Sequence, residues 1–256
     1  MELNMFQMLL IVLVTMVAAI DQFNFLESLY RPIVVGPVIG AIMGDLTTGL
    51  AIGASYELMM VGAMPVGGAQ PPNAVIGGVM ATVFGISLGL DVEAALPLAI
   101  PFALLGQYAV TIMFTAMSPL MQVADKYAEE GNTKGIDRLN YFAMGALALL
   151  FAVIVLLGMW FGSTVGEQLT TLLPEWVWTG LTAAGKMMPA LGFAILLRVM
   201  LSKDYLGFMF LGFVLVAYLQ LPLLAVAILG VVVAVYDFQI SMKTKSAQKA
   251  VSSDGI

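Results

Sequence analysis

Apolar and polar positions alternate along this chain in long blocks, with runs of roughly membrane-spanning length separated by short polar breaks. Leu3–Ile20 carries no charge and is long enough to begin a span, which needs about 20 apolar residues. Pro32–Met64 is apolar but contains Asp45 and Glu57, with glycines at 36, 40, 44, 49 and 53. Ala74–Leu90 follows a Gly/Pro-rich turn. Ala94–Ala124 and Leu139–Gly166 are uncharged. Val177–Leu201 is apolar apart from Lys186 and Arg198, and Tyr205–Tyr236 is uncharged but interrupted at Gln220 and Pro222. This pattern predicts an all-α, polytopic integral membrane protein. One membrane domain covers 1–240, followed by a polar tail at 241–256. The chain after Asp237 is expected to lack regular structure. The sizeable polar loop is Asp125–Arg138, "DKYAEEGNTKGIDR".

Composition strengthens this reading. Of 256 residues, 61% are hydrophobic and 10% charged, against about 25% charged in soluble domains. Mean hydropathy is +1.00, so the solvent for most of the surface is lipid. Cys and His are both absent. Disulfides, thiol chemistry, histidine acid–base chemistry and the usual zinc ligands are therefore excluded, and so are the two commonest side-chain carriers of a phosphoryl group. A net charge of −6 argues against nucleic acid, which needs a basic face. Glu2 stands where a secretory signal has positive charge, and no A-x-A-like site closes the first run, so that run reads as a retained helix. "GLTAAGKMM", Gly180–Met188, approaches P-loop spacing. Met187 replaces the required Ser or Thr, however, and no strand precedes it, so ATP binding is rejected. The 19 methionines fit an adaptable apolar interior. No metal and no cofactor are expected.

Lys and Arg set the orientation. Lys126, Lys134 and Arg138 place the central loop in the cytoplasm, and Lys243, Lys245 and Lys249 place the C-terminus there. Ser163–Glu175 has acids only and reads as external. Counting crossings from either end leaves Pro32–Met64 with no net passage, so it is expected to enter the bilayer and return. The region 32–73 is thus predicted to hold a re-entrant helical hairpin. Tyr205–Tyr236 is too long for one upright span and short for two, predicting short broken helices near 205–236 that meet at Leu219–Pro222. Non-helical backbone at membrane depth survives only where protein or a water-filled cavity surrounds it, so the break after Met64 is expected to line a polar cavity.

Glu57 is the sharpest chemical signal. A carboxylate at the centre of an apolar segment costs about 2.5–3.5 kcal/mol on insertion scales and usually faces a cavity or a partner. The structural alternative pairs it with a backbone NH or with Lys186. In "GGAQPPNAV", Gly67–Val75, two prolines remove donors and forbid helix at Gln70. Asn73 is placed to cap the following helix. The amides of Gln70 and Asn73 both donate and accept, which suits sugar hydroxyls; a plain tight turn with an N-cap is the alternative. Asp21, Gln22 and Asn24, with Glu27 after them, form either an interfacial polar cluster or part of a binding site. Asp45 suits a helix end or N-cap. Gln107, alone in an apolar run, is glue between helices or a ligand contact. The four-residue glycine spacing 36–40–44 and 49–53 favours close helix packing.

"RPIVVGPVIGAIMGDLTTGLAIGASYELMMVGAMPVGGAQPPNAV" (Arg31–Val75), "RLNYFAMG" (138–145), "GKMMPALGFAILLRVM" (185–200) and "YLGFMFLGFVLVAYLQLPLLAVAILG" (205–230) resemble the IIC component of the mannose/fructose/sorbose-type bacterial phosphotransferase systems. The segment from Glu57 to QPPN and the ending "DGI" are most similar to the N-acetylgalactosamine/galactosamine branch. The resemblance implies a sugar-translocating permease subunit of the inner membrane, without enzymatic activity of its own. It implies a membrane partner IID, cytoplasmic phosphocarriers IIB and IIA, a trimer of IIC–IID pairs, and an elevator-like movement. Carried onto this chain, the substrate contacts are Glu57, Gln70 and Asn73, with Asp21, Gln22 and Gln107 as further candidates. The competing reading is a stand-alone ion-coupled transporter with Glu57 as proton site. Inverted repeats would support it, and no convincing one is found. Cysteines placed at Arg31 and Val66, in a chain with none of its own, should react with an impermeant reagent from the same, cytoplasmic, side. Labelling from opposite sides would refute the returning segment.

Overall fold

The computed structural model describes residues 3–63, 71–172, 174–202 and 205–253, with side chains described outside 161–172, 241 and 244–253. Among the described residues the secondary structure is helical, without strands. The chain divides into two compact units, 1–199 and 200–256.

The first unit is built around its shortest apolar elements. Helix α2 (Pro32–Met43) begins with proline at its first position, where a missing NH costs nothing. It ends on Gly44, whose φ of 88° is the left-handed stop that glycine adopts freely. Asp45 then caps α3 (Leu46–Met60), accepting from the Thr48 NH at 3.0 Å. Two consecutive residues thus end one helix and start the next, folding α2 back along α3. Four glycines let the backbones touch. A Cβ at Gly36 would lie 2.5 Å from the Gly49 carbonyl oxygen, and one at Gly49 would lie 2.6 Å from the Gly36 oxygen and 2.7 Å from the Gly40 Cα. At about 1.5 Å per residue the two helices are only about 18 and 22 Å long. The hairpin expected from the charge count is present, with its open ends side by side.

Helix α4 (Ala74–Leu88) is the centre of this unit. Every residue from Val75 to Ile86 is buried, as expected of a helix apolar on all sides. The helix is 15 residues, about 22 Å, and is enclosed by protein. α5 (Val92–Met117) packs along it through Ala95, Ala99, Ala103, Gly106 and Val110. The fully enclosed Tyr56 lies against Gly77 of α4, where an added Cβ would meet both the phenol and the Ala103 methyl, and among the described residues its hydroxyl has no partner. α1 (Met5–Asn24) and α7 (Thr133–Leu172) complete the packing, with Ile11, Phe151 and Val155 buried. α8 (Glu175–Met200) seats Gly192 over the Leu58 and Met59 carbonyls at the end of α3, and Gly185 over the Glu93 carbonyl.

Two stretches expected to be irregular, the polar loop and the tail after Asp237, are helical instead. Pro119 ends α5, but α6 (Leu120–Glu129) runs into the expected polar loop and α7 starts at Thr133, leaving a turn at 130–132 around Gly131, φ 65°. Asn132 supports the start of α7 by accepting from the Gly135 NH at 3.0 Å. α7 continues to Leu172, through most of the stretch expected to be external. In the second unit, α9 (Leu206–Ala217) and α10 (Leu223–Ser253) meet at the predicted break, with Gln220 at φ 50°. α10 carries through the polar tail to Ser253, because "KTKSAQKA" is rich in Ala, Lys and Gln, which are strong helix formers. Among the described residues, five helices are long and apolar enough to cross a membrane: α1, α5, α7 through Trp160, α8 and α10 through Ile240.

The glycine contacts set a measurable cost. Gly49→Ala drives a methyl into backbone on α2 that has no rotamer by which to yield. It should destabilise by about 1–3 kcal/mol, read as a lowered thermal midpoint in detergent. Gly145→Ala is the control: in α7 its added methyl meets nothing within 4 Å, and gains about 1 kcal/mol of helix propensity. Equal midpoints for the two variants would refute the interlock.

Candidate functional site

The turn after α1 is held by one buried carboxylate. Asp21, 1% exposed, accepts from the Leu26 NH at 2.9 Å through Oδ1, and from the Ser28 and Tyr30 NH groups at 3.0 and 2.9 Å through Oδ2. Those bonds fix a loop in which Glu27 has φ 53°, and they deliver Tyr30 and Arg31 to the start of α2. Glu57 lies one turn before the end of α3, level with that start because the hairpin closes on itself. The Arg31 Nε donates to Glu57 Oε1 at 2.7 Å, and Nη2 donates to the same oxygen. The Ile33 NH approaches Oε2 at 3.5 Å, so the carboxylate also faces the positive end of α2. The acid's partner is Arg31, not Lys186.

Asn73 joins the third side. Its Oδ1 caps α4 by accepting from the Ile76 NH at 2.9 Å, its own NH donates to the Ala103 carbonyl at 2.9 Å, and its Nδ2 donates to Gln22 Oε1 at 3.3 Å. Gln22, Glu27, Tyr30, Arg31, Glu57 and Asn73 thereby face one cavity of about 420 Å³, walled by Phe23, Met60, Pro71 and Pro72. Small-molecule sites span about 300–1,000 Å³. Its polar groups are two carboxylates, a guanidinium, two amides and a phenol, a set that donates and accepts in several directions.

Of the residues singled out from sequence, Glu57, Asn73 and Gln22 come together here. Asp21 adjoins them with its oxygens occupied by backbone NH groups. Gln107 is half-buried on α5, outside the cavity lining. Gln70 lies outside the described residues, one position before Pro71. Sequence reasoning missed Arg31 and Tyr30 as site residues. A lone Arg at the start of the apolar segment that holds a lone Glu was the available signal.

Residues 5–236 match the family model described as the sorbose-specific IIC component of the PTS system. The chain belongs to this family of IIC components. It is 39% identical over 254 residues to the N-acetylgalactosamine permease IIC component 1 of Escherichia coli K12, covering 97% of this chain and 92% of that protein. Two solved structures share the fold, each at 29% identity over 93% of this chain and 97% of theirs. One is described as a membrane protein (TM-score 0.82) and the other is a cryo-EM structure of the mannose transporter ManYZ with microcin E492 (TM-score 0.56). This IIC component is thus a multi-pass membrane protein of a sugar permease family, and the cavity at the mouth of the α2–α3 hairpin is its candidate site.

If Asp21 shapes the site through the backbone, Asp21→Ala leaves three NH groups without an acceptor. Each costs about 1–3 kcal/mol where buried. The thermal midpoint should fall, and hydrogen exchange should rise across 25–31. Unchanged stability with weakened sugar binding would instead make Asp21 a ligand.

Proposed function

We propose that this subunit binds a hexosamine such as N-acetylgalactosamine in the cavity between α1, α3 and α4, and moves it across the inner membrane for phosphorylation. The observation that carries this reading is the convergence of Glu57, Gln22 and Asn73 on one cavity in a chain of the IIC family. The identity of the sugar is supported by the E. coli relative, named an N-acetylgalactosamine permease. Glu57 accepts from sugar hydroxyls, while the Gln22 and Asn73 amides, with Gln70 beside them in the chain, contribute donors and acceptors. Asp21 acts through the loop it holds and Gln107 through helix packing.

The chain has no His or Cys to carry phosphate. A cytoplasmic IIB, recharged by IIA, supplies it, and a IID subunit completes the permease. The ManYZ complex, named as a mannose transporter, supports such a pairing. The working assembly is a trimer of IIC–IID pairs with the C-terminus cytoplasmic and an elevator-like movement of the core. Membership of the IIC family, over residues 5–236, weighs against the stand-alone transporter.

The test is Glu57→Gln in vesicles carrying the IIC–IID pair with IIB, IIA and phosphoenolpyruvate. Charge-assisted hydrogen bonds contribute about 1.5–3 kcal/mol each. Losing one should weaken affinity for N-acetylgalactosamine about tenfold to a hundredfold, with assembly unchanged. Normal affinity in a well-assembled variant refutes the site.

A further inference from the structure

Two features of the Arg31–Glu57 pair go beyond holding a hairpin shut. The first is its asymmetry. Both guanidinium donors, Nε and Nη2, converge on Oε1, whereas a structural Arg–carboxylate pair is commonly a fork that uses both oxygens. Among the described residues, Oε2 is left with a backbone NH at the outer edge of hydrogen-bond reach, 3.5 Å. The second is its place. The side chains are 49% and 14% exposed, and both face the cavity, so the pair is part of the surface a ligand meets.

We propose that Arg31 is a positioning residue that sets the charge selectivity of the site. It neutralises Glu57 through Oε1 and leaves Oε2 to accept from hydroxyls, so the cavity takes an uncharged, N-acylated hexosamine and disfavours the protonated amine of the parent amino sugar. This rests on the cavity being the sugar site. A free carboxylate would attract an ammonium group. A carboxylate already paired to a guanidinium offers an ammonium little and places a like charge beside it. The other charged group of the lining, Glu27, is on the exposed loop, where water and salt screen it. α1 and α4 face the pair with the uncharged amides of Gln22 and Asn73.

The two charges act oppositely, so two variants move selectivity in opposite directions. Binding of N-acetylgalactosamine and of galactosamine is measured to the assembled IIC–IID pair, on the acidic side of the amine's pKa. The readout is the ratio of the two dissociation constants, which cancels losses common to both sugars. Arg31→Gln frees Glu57 and should shift the ratio about tenfold toward galactosamine, with Arg31→Lys restoring it. Glu57→Gln leaves the guanidinium alone and should shift the ratio about tenfold the other way, while weakening both sugars. This second arm stands even if Arg31→Gln does not assemble. A ratio that is unmoved, or that moves the same way in both variants, overturns the role of Arg31. If Glu57→Gln leaves N-acetylgalactosamine affinity at the wild-type level, the cavity is not the sugar site, and that failure is distinct from the first.

Discussion

The backbone contact between α2 and α3 is the constraint on which the site depends. With glycine at 36, 40, 49 and 53, the helices approach until carbonyl and Cα atoms touch. That fixes their register to within a fraction of a turn. Register decides which residues share the open end. Arg31 precedes α2 and Glu57 stands near the end of α3, 26 positions apart in sequence, and only a tightly closed hairpin brings them to one level. A looser pair of helices would need longer side chains or water between them. In lipid, where apolar side chains gain little by leaving hydrocarbon for one another, close backbone packing is the main attraction available. The glycines therefore supply cohesion and register together.

The two carboxylates near this end show how differently a membrane protein can use the same group. Asp21 is short, and the loop that follows wraps three NH groups around it. Its charge is spent on structure. Glu57 is longer, reaches the cavity, and meets a cation on one oxygen only. Both arrangements lower the cost of an acid in an apolar chain, but only the second leaves an acceptor directed at a ligand. An acid buried to 1% exposure with both oxygens engaged by backbone NH groups is a scaffold. An acid beside a cavity with one oxygen still available is the better candidate for recognition.

Much of this was legible in the sequence because it depends on local rules. Asn73 and Asp45 were readable as N-caps from their residue type before apolar runs, and both accept the expected backbone NH. The returning segment followed from counting Lys and Arg, and the break near Gln220 from a polar–proline interruption in an apolar run. The errors share a cause. Polarity suggests water, and hence a loop at 125–138 and a tail without regular structure after Asp237. The Lys, Glu, Gln and Ala residues in these stretches are strong helix formers, and helices that leave a membrane can continue through it. The Arg31–Glu57 pair was out of reach for another reason: nothing local ties Arg31 to position 57.

The placement of the cavity follows from the same physics. α2, α3 and α4 are about 18–22 Å long, shorter than the roughly 30 Å of a hydrocarbon core. None of them can reach from one face of the bilayer to the other, so each has at least one end whose NH or carbonyl groups cannot be left to lipid. The protein meets those ends with side chains: Asn73 at the start of α4, Glu57 opposite the start of α2, and α8, whose Gly192 sits over the last carbonyls of α3. Once carboxylate, guanidinium and amide groups must gather at one depth to close helix ends, a polar pocket there is a consequence of short helices. A site for a hydroxylated ligand then needs only that some of those groups keep a free acceptor or donor, as Glu57 does through Oε2.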